Sequence, residues 1–341
     1  MDNPVIEVRN VSRSFRSAKK APGFSGALRL IFKPEIQTHV ALKNVSFTIE
    51  PGSFTGLIGA NGAGKTTLLK ILSGLIPPTE GETRVLGYNP FDRPVDFRRK
   101  IALVMGQKAQ LWWDLPANDA FDLLHAIYDI PDNLYQERVQ TLSELLDVKQ
   151  HLQTQIRRLS LGERMKMELI GAILHWPSVI FLDEPTIGLD VMAAAKLREF
   201  LKVFNQREKA TIILTSHNMD DIERLCSRVL ILREGELIYD GKPAGLLREG
   251  ERRLRVRFST QPDLDELSRI TQLPKGQLSL AESEDAEIGA EPGGVYFNVK
   301  QDQIVPVLQA LMQHGAIADM GIEEQSLESV IQRLFKGGTE A

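Results

Sequence analysis

Scarcity narrows the possibilities first. The chain holds a single cysteine, Cys226, which excludes an internal disulfide and points to a reducing, cytosolic compartment. It has no basic excess: 41 Lys and Arg against 45 Asp and Glu leave a formal net charge of -4, whereas a domain that grips nucleic acid is strongly basic. No nucleic-acid partner is therefore expected. Long apolar runs are also missing. Residues 179–182 and 229–232 are apolar throughout, yet a membrane-spanning helix needs about 20 such residues. Asp2 and Glu7, with no long apolar stretch beside them, do not make a signal peptide. No internal repeat is present. What remains is ordinary in bulk: 43% hydrophobic and 25% charged residues over 341 positions suit one large domain and a second, smaller one.

The most specific feature is a loop. Gly59, Ala60, Asn61, Gly62, Ala63, Gly64, Lys65 and Thr66 fit G-x-x-x-x-G-K-[ST], whose backbone N–H groups wrap the phosphates of a nucleotide. Glycines 59, 62 and 64 let the backbone approach, Lys65 brings a point charge to the β- and γ-phosphates, and Thr66 offers its hydroxyl to Mg²⁺. Thr67 follows in a helix whose N-terminal dipole favours the same anion. The flanks agree with this reading. Residues 54–58 read as a strand, and Leu68, Leu69, Ile71, Leu72 and Leu75 recur at helical spacing until Pro77 and Pro78. Further on, Asp183 and Glu184 close the apolar strand at 179–182, the edge at which α/β sheets hold ligands. His217 follows a second apolar strand at 211–214. Strands that are apolar throughout argue for a parallel sheet covered on both faces.

Other elements read more coarsely. Residues 5–11 and 45–49 are strands, with Pro51 and Gly52 turning the chain into the strand at 54–58. Residues 98–175 read as mostly helical, and Glu234 and Gly235 turn a hairpin. Ser160 and Glu163 form a capping box opening a helix through Met165, Leu169, Ile170 and Ile173. A helix start with a serine and a close-approach glycine is also an anion site. Composition shifts near Gly245. The segment 248–257 is highly charged and 282–294 is acidic and Gly-rich, a surface loop. Strands at 254–258, 295–299 and 317–320 and helices at 304–312 and 327–334 make a small α+β domain.

In their order along the chain, the loop at 59–66, Gln107, the string Leu159, Ser160, Leu161, Gly162, Glu163, then Asp183 with Glu184, and finally His217 resemble the ATP-binding cassette (ABC) family of transport ATPases. The resemblance covers roughly residues 5–245, and the family's LSGGQ signature reads here as LSLGE. It implies an α/β fold: a phosphate-loop cassette with a mixed sheet core and a helical subdomain, followed by the small α+β domain. The implied boundaries are 1–247 for the cassette, 98–175 for the helical subdomain, 17–39 for an insert and 248–341 for the accessory domain. It implies ATP and Mg²⁺ as cofactors. Asp183 would hold Mg²⁺, directly or through water, and Glu184 would polarise the attacking water as a general base. His217 would contact the γ-phosphate, and Gln107 would sense the metal and that phosphate. Phe15 would stack on adenine, although a strand-end phenylalanine is equally a core residue. Pro185 to Asp190 look like the family's D-loop, which adds Asp190 to the nucleotide site. Ser160, Gly162 and Glu163 would meet the γ-phosphate held by a second subunit, so a head-to-tail homodimer, or a heterodimer with a similar ATPase, is expected. Glu163 places a carboxylate where phosphate should come, an arrangement expected to repel slightly.

Two segments exceed a minimal cassette. From Arg9 to Pro34 the chain has Arg9, Arg13, Arg16, Lys19, Lys20, Arg29 and Lys33 and no acid, with Phe24, Leu28, Ile31 and Phe32 on one helical face. Such a helix lies on an anionic membrane or a partner, or packs on its own domain. Trp112 and Trp113 sit where the family docks its permease; interface and core are both open to them. The tail at 321–328 resembles that of drug-export ATPases. The expectation is an export ATPase, of drugs or cationic compounds, held on the cytoplasmic face of the membrane by separate permease chains. The alternatives are an importer ATPase with a regulatory C-terminal domain and a soluble, non-transport ABC protein.

Overall fold

The computed structural model describes residues 3–18, 36–106, 108–246, 251–259, 263–280, 294–314, 317–324 and 327–335. Gln107, the basic stretch with Phe24, Leu28, Ile31 and Phe32, and residues 282–293 of the acidic segment lie outside these. The chain divides into two compact units, Met1–Pro243 and Ala244–Ala341.

The first unit opens with strands β1 (Ile6–Ala18), β2 (Ile36–Ile49), β3 (Phe54–Gly59) and β4 (Glu80–Val85). Three of them form an antiparallel sheet in the order β2-β1-β4. β1 runs well past the strand expected at 5–11, because β2 offers partners as far as Ala18 opposite Ile36. β3 instead lies inside a second sheet with β5 (Ile101–Met105), β6 (Val179–Asp183), β7 (Thr211–Thr215), β8 (Arg228–Arg233) and β9 (Glu236–Gly241). Its order is β5-β6-β7-β3-β8-β9, parallel everywhere except at β8–β9. All six residues of β3 are buried, as both-face coverage of a parallel strand requires.

The helices of this unit are α1 (Lys65–Leu72), the single turn α2 (Val95–Arg98), α3 (Ala117–Tyr128), α4 (Asp132–Leu145), α5 (Leu161–Ile173), α6 (Val191–Glu208) and α7 (Met219–Leu225). Leu68, Leu69, Ile71 and Leu72 of α1 share one apolar cluster with Ile6 and Val8 of β1, Leu42 of β2, Leu57 of β3 and Phe181 of β6. That cluster seats the helix that follows the phosphate loop against both sheets. The helical stretch expected over 98–175 needs correction at its start. Ile101–Met105 is a strand paired in parallel with β6, and the longer helices begin only at Ala117. A run of five apolar residues has no period by which to tell strand from helix.

The second unit comprises β10 (Glu251–Phe258), α8 (Leu264–Thr271), β11 (Leu278–Leu280), β12 (Gly294–Lys300), α9 (Ile304–His314), β13 (Ile317–Glu324) and α10 (Leu327–Phe335). Its strands form an antiparallel sheet in the order β11-β12-β10-β13. Leu254, Val256 and Phe258 alternate along β10 into a core shared with Leu267 of α8 and Val307 and Leu311 of α9.

Candidate functional site

The phosphate loop takes its shape from two demands on its backbone. Gly62 and Gly64 have φ of 84° and 107°, a region that side chains strain to enter. A Cβ on Gly64 would also lie 2.5 Å from the Ala41 carbonyl oxygen. Within this turn the Ala63 N–H donates to the Ala60 oxygen at 3.0 Å, and Gly64 serves as the N-cap of α1. Lys65 is 6% exposed, and its ammonium donates to the carbonyls of Gly59 at 2.6 Å and Ala60 at 3.2 Å. Burial pushes the Lys65 pKa below its ordinary value, while the charges of Glu184 and Asp183 push it back up. Ammonium and carboxylates therefore share one electrostatic environment.

Those carboxylates arrive at the end of β6. The Thr66 hydroxyl donates to Asp183 Oδ2 at 2.8 Å and the Thr215 hydroxyl to Oδ1 at 2.7 Å. Asp183 and Thr215 are register partners across β6 and β7, so this last bond follows from strand pairing. Glu184 turns away with φ of 53°. Its N–H donates to the Thr215 carbonyl and hydroxyl at 3.1 and 3.0 Å. The Glu184 carboxylate, 18% exposed, then meets His217 Nε2 at 2.8 Å. Lys65, Thr66, Asp183, Glu184 and His217 thus converge at the C-terminal ends of β3, β6 and β7. Mg²⁺ takes few protein oxygens and completes its shell with phosphate and water. The hydroxyl–carboxylate pair of Thr66 and Asp183, hard oxygens beside a phosphate loop, fits that ion.

The signature residues stand apart. Among the described residues no hydrogen bond or ion pair joins Ser160, Gly162 or Glu163 to Lys65, Asp183 or Glu184. Ser160 caps α5 in a complete capping box: its N–H donates to Glu163 Oε2 at 2.9 Å, and its hydroxyl accepts the Glu163 N–H at 3.3 Å. Glu163 Oε1 pairs with His151 Nε2 at 3.0 Å. The Ser160 hydrogen bonds hold this carboxyl below its usual range, with smaller help from the charges of His151 and Lys166. The charge expected to repel phosphate is thereby occupied within its own chain. Leu161, in place of the family's glycine, packs on Gly188 of the D-loop, where an added Cβ would lie 2.7 Å from it. Asp190 caps α6 through the Ala193 N–H at 2.9 Å.

Phe15 lies on β1 opposite His39, 37% exposed, with the Arg13 guanidinium 4.7 Å from its ring centre. Trp112 and Trp113 are 44% and 49% exposed, which removes the core alternative for both. Just after Gln107, the N–H groups of Gln110 and Leu111 donate to buried Glu168 on α5, tying that segment to the signature helix. Burial pushes the Glu168 pKa up against the pull of these bonds. Sequence reasoning gave Thr215 no role, although a threonine in register with Asp183 is a signal once strands are paired. It also missed the buried pair of Arg198 and Asp221 at 2.8 Å, two charges set beside the apolar Leu197 and Ile222 in sequence.

A Gly-rich loop between a parallel strand and a helix, facing two acids at the end of the next strand but one in the same sheet, defines a phosphate-loop nucleoside triphosphatase. The pattern of the family described as ABC transporter matches residues 42–187. The ATP-binding protein NatA of Bacillus subtilis is 32% identical over 201 residues, which span 59% of this chain and 81% of that protein. The methionine import ATP-binding protein MetN 2 of Enterococcus faecalis is 28% identical over 318 residues, 87% of this chain and 91% of that one. Among solved structures, an ATP-binding subunit of an ABC transporter aligns with a TM-score of 0.59 and 26% identity over 71% of this chain and 91% of that one. A dimeric cassette in a post-hydrolysis state, bound to ADP and Pi, aligns with a TM-score of 0.58 and 25% identity over 70% and 98%. The chain belongs to the ABC transporter family, as an ATP-binding subunit with the cassette ATPase fold.

Proposed function

We propose that this ATPase works as one half of a head-to-tail pair and drives export through separate membrane permease chains. The observation that carries the reading is the separation of Ser160 from the cluster of Lys65, Asp183, Glu184 and His217. A signature helix start with no bond to its own chain's Lys65, Asp183 or Glu184 suits a phosphate held by a partner's loop, and a similar cassette is dimeric. The loop from Gly59 to Thr67 grips the phosphates of ATP. Thr66 and Asp183, with Gln107, would hold Mg²⁺, which neutralises charge on the β- and γ-phosphates when bound. Glu184 accepts the proton of the attacking water, and His217, paired with Glu184, contacts the γ-phosphate. Phe15 and Asp190 complete the nucleotide contacts.

Among the described residues no helix is long and apolar enough to cross a membrane. Attachment to the cytoplasmic face of the membrane would run through the permease. The exposed Trp112 and Trp113 beside the segment held by Glu168 offer it a surface. Export rests on the tail from Gly321 to Glu328, and drugs or cationic compounds as cargo on the string from Ser160 to Met167 and the basic insert. A second reading, import with a regulatory C-terminal unit, is favoured by the match to MetN 2, which extends over both units. A gene for a solute-binding protein beside the permease genes would decide for import.

The pair itself is tested by mixing two inactive subunits. Lys65→Ala loses the phosphate grip and Ser160→Arg blocks the signature, so only a shared site regains one intact half. ATPase activity in the mixture above both parents is expected. No gain, with dimerisation shown by sedimentation, would overturn the head-to-tail arrangement.

A further inference from the structure

Residues 215–217 leave β7 in succession, and each touches a different acid. Thr215 donates to Asp183 and His217 pairs with Glu184. Between them, the Ser216 hydroxyl donates to Oδ2 of Asp221 at 2.6 Å. The same oxygen accepts the Thr186 hydroxyl at 2.6 Å, two residues beyond Glu184. Asp221 is 0% exposed, and its other oxygen accepts a hydrogen bond from Nη1 of Arg198, itself 8% exposed, at 2.8 Å. The contacts close a ring. It runs along the chain from Glu184 to Thr186, across Asp221 to Ser216, along the chain to His217, and back to Glu184 at 2.8 Å.

We propose that Asp221 is a positioning residue for ATP hydrolysis, setting the approach of His217 to Glu184 by holding the loops after β6 and β7 to one carboxylate. The inference rests on Glu184 and His217 being the hydrolytic pair. A carboxylate only accepts, so both hydroxyls must point at it, and neither loop can swing without breaking a charge-assisted bond. Ser216 keeps a lone pair for the Asn218 N–H at 3.0 Å, and Asn218 in turn caps α7 through the Asp220 N–H. Arg198 sets a countercharge against Asp221 in the interior. An amide at this position would present donors to one of these partners. The phosphate loop lies outside the ring, so the ring bears on turnover and not on the hold on ATP.

The test uses the full chain and three measurements: steady-state ATPase, equilibrium binding of a fluorescent ATP analogue, and thermal melting. Thr186→Val and Ser216→Ala each open one arm and leave the Arg198–Asp221 pair intact. Each is expected to lower kcat by about 10- to 100-fold, since small displacements of reacting groups carry losses of that order. Affinity for the analogue should stay within about threefold. The double variant should be little worse than either single, because the ring is already open. Thr186→Ser, which restores the hydroxyl, should recover most of the lost turnover.

Turnover within about threefold of wild type in both single variants would overturn the proposal. So would additive losses in the double variant, or a fall in analogue affinity that matches the fall in kcat. If Thr186→Val melts below the assay temperature, Ser216→Ala alone decides by the same criteria. Glu184→Gln in the same assay separates the two ideas. Persisting turnover there removes the hydrolytic pair and this inference with it. An inactive Glu184→Gln beside ring variants of normal kcat removes only the role of Asp221.

Discussion

At Gly106 a Cβ would lie 2.1 Å from the Glu184 carbonyl oxygen, so any side chain must displace the backbone that carries the proposed base. The Gly106 N–H also donates to the Asp183 oxygen at 2.8 Å, which keeps this approach close. Gly106→Ala is expected to lower kcat by about 100-fold or more while the phosphate loop still binds ATP. Normal turnover would show that the loop relaxes freely. Glu184→Gln keeps the shape and loses the base, so hydrolysis should fall about 10²- to 10⁴-fold with nucleotide retained. Near-normal steady-state turnover would remove Glu184 from that role. The role of Glu184 was legible in sequence through the motif. The contact of Gly106 with Glu184 was not, because it joins residues far apart in the chain on neighbouring strands.

The signature helix α5 shows what capping and packing each contribute. Its capping box could be read from Ser160 and Glu163 alone, since a helix start is a local matter. Ser160→Ala should cost about 1 kcal/mol of stability, measured by chemical denaturation. Two residues past the end of α5, His175 stacks on Tyr128 of α3 with ring centres 3.9 Å apart, and its Nε2 lies 3.0 Å from the Ile101 oxygen. Burial pushes the His175 pKa down from 6.5 to about 4, against the Ile101 bond, with the Arg138 charge acting in the same direction as burial. The sign follows from linkage. Between pH 6.5 and about 4 the unfolded chain takes up the proton and the folded chain does not, so stability falls as pH falls across that window. The loss at the acid end is on the order of 3 kcal/mol. Replacing the ring, as in His175→Gln, should flatten the dependence of Tm on pH there. An unchanged slope would place the acid sensitivity elsewhere.

At the scale of the whole chain, the two units have separate apolar clusters, one around α1 and one around β10. Separate cores predict that unfolding is not a single transition. The probes divide conveniently. Trp112, Trp113 and Trp176 all lie in the first unit, as does buried Cys226, whose pKa burial raises, with the nearby Asp221 charge adding to it. Tryptophan fluorescence and thiol labelling should therefore follow the first unit alone, and far-ultraviolet circular dichroism both. Non-coincident urea curves are expected. Coincident curves with one midpoint would mean that the units unfold as one.

The sequence alone determined the phosphate loop with its strand and helix, the acid pair at a strand end, and the cap of α5. Each depends on residues within a few positions of one another, where backbone conformation and hydrogen bonding are local. Only the tertiary structure decided that Ile101–Met105 is a strand, that Trp112 and Trp113 are exposed, and that Glu163 is matched by His151. It alone showed Thr186, Ser216, Arg198 and Asp221 meeting in the interior. An apolar run carries no period to name its element, and whether a tryptophan is covered depends on neighbours far away in the chain. A buried charge is recognised only when the partners that make its burial tolerable are in place.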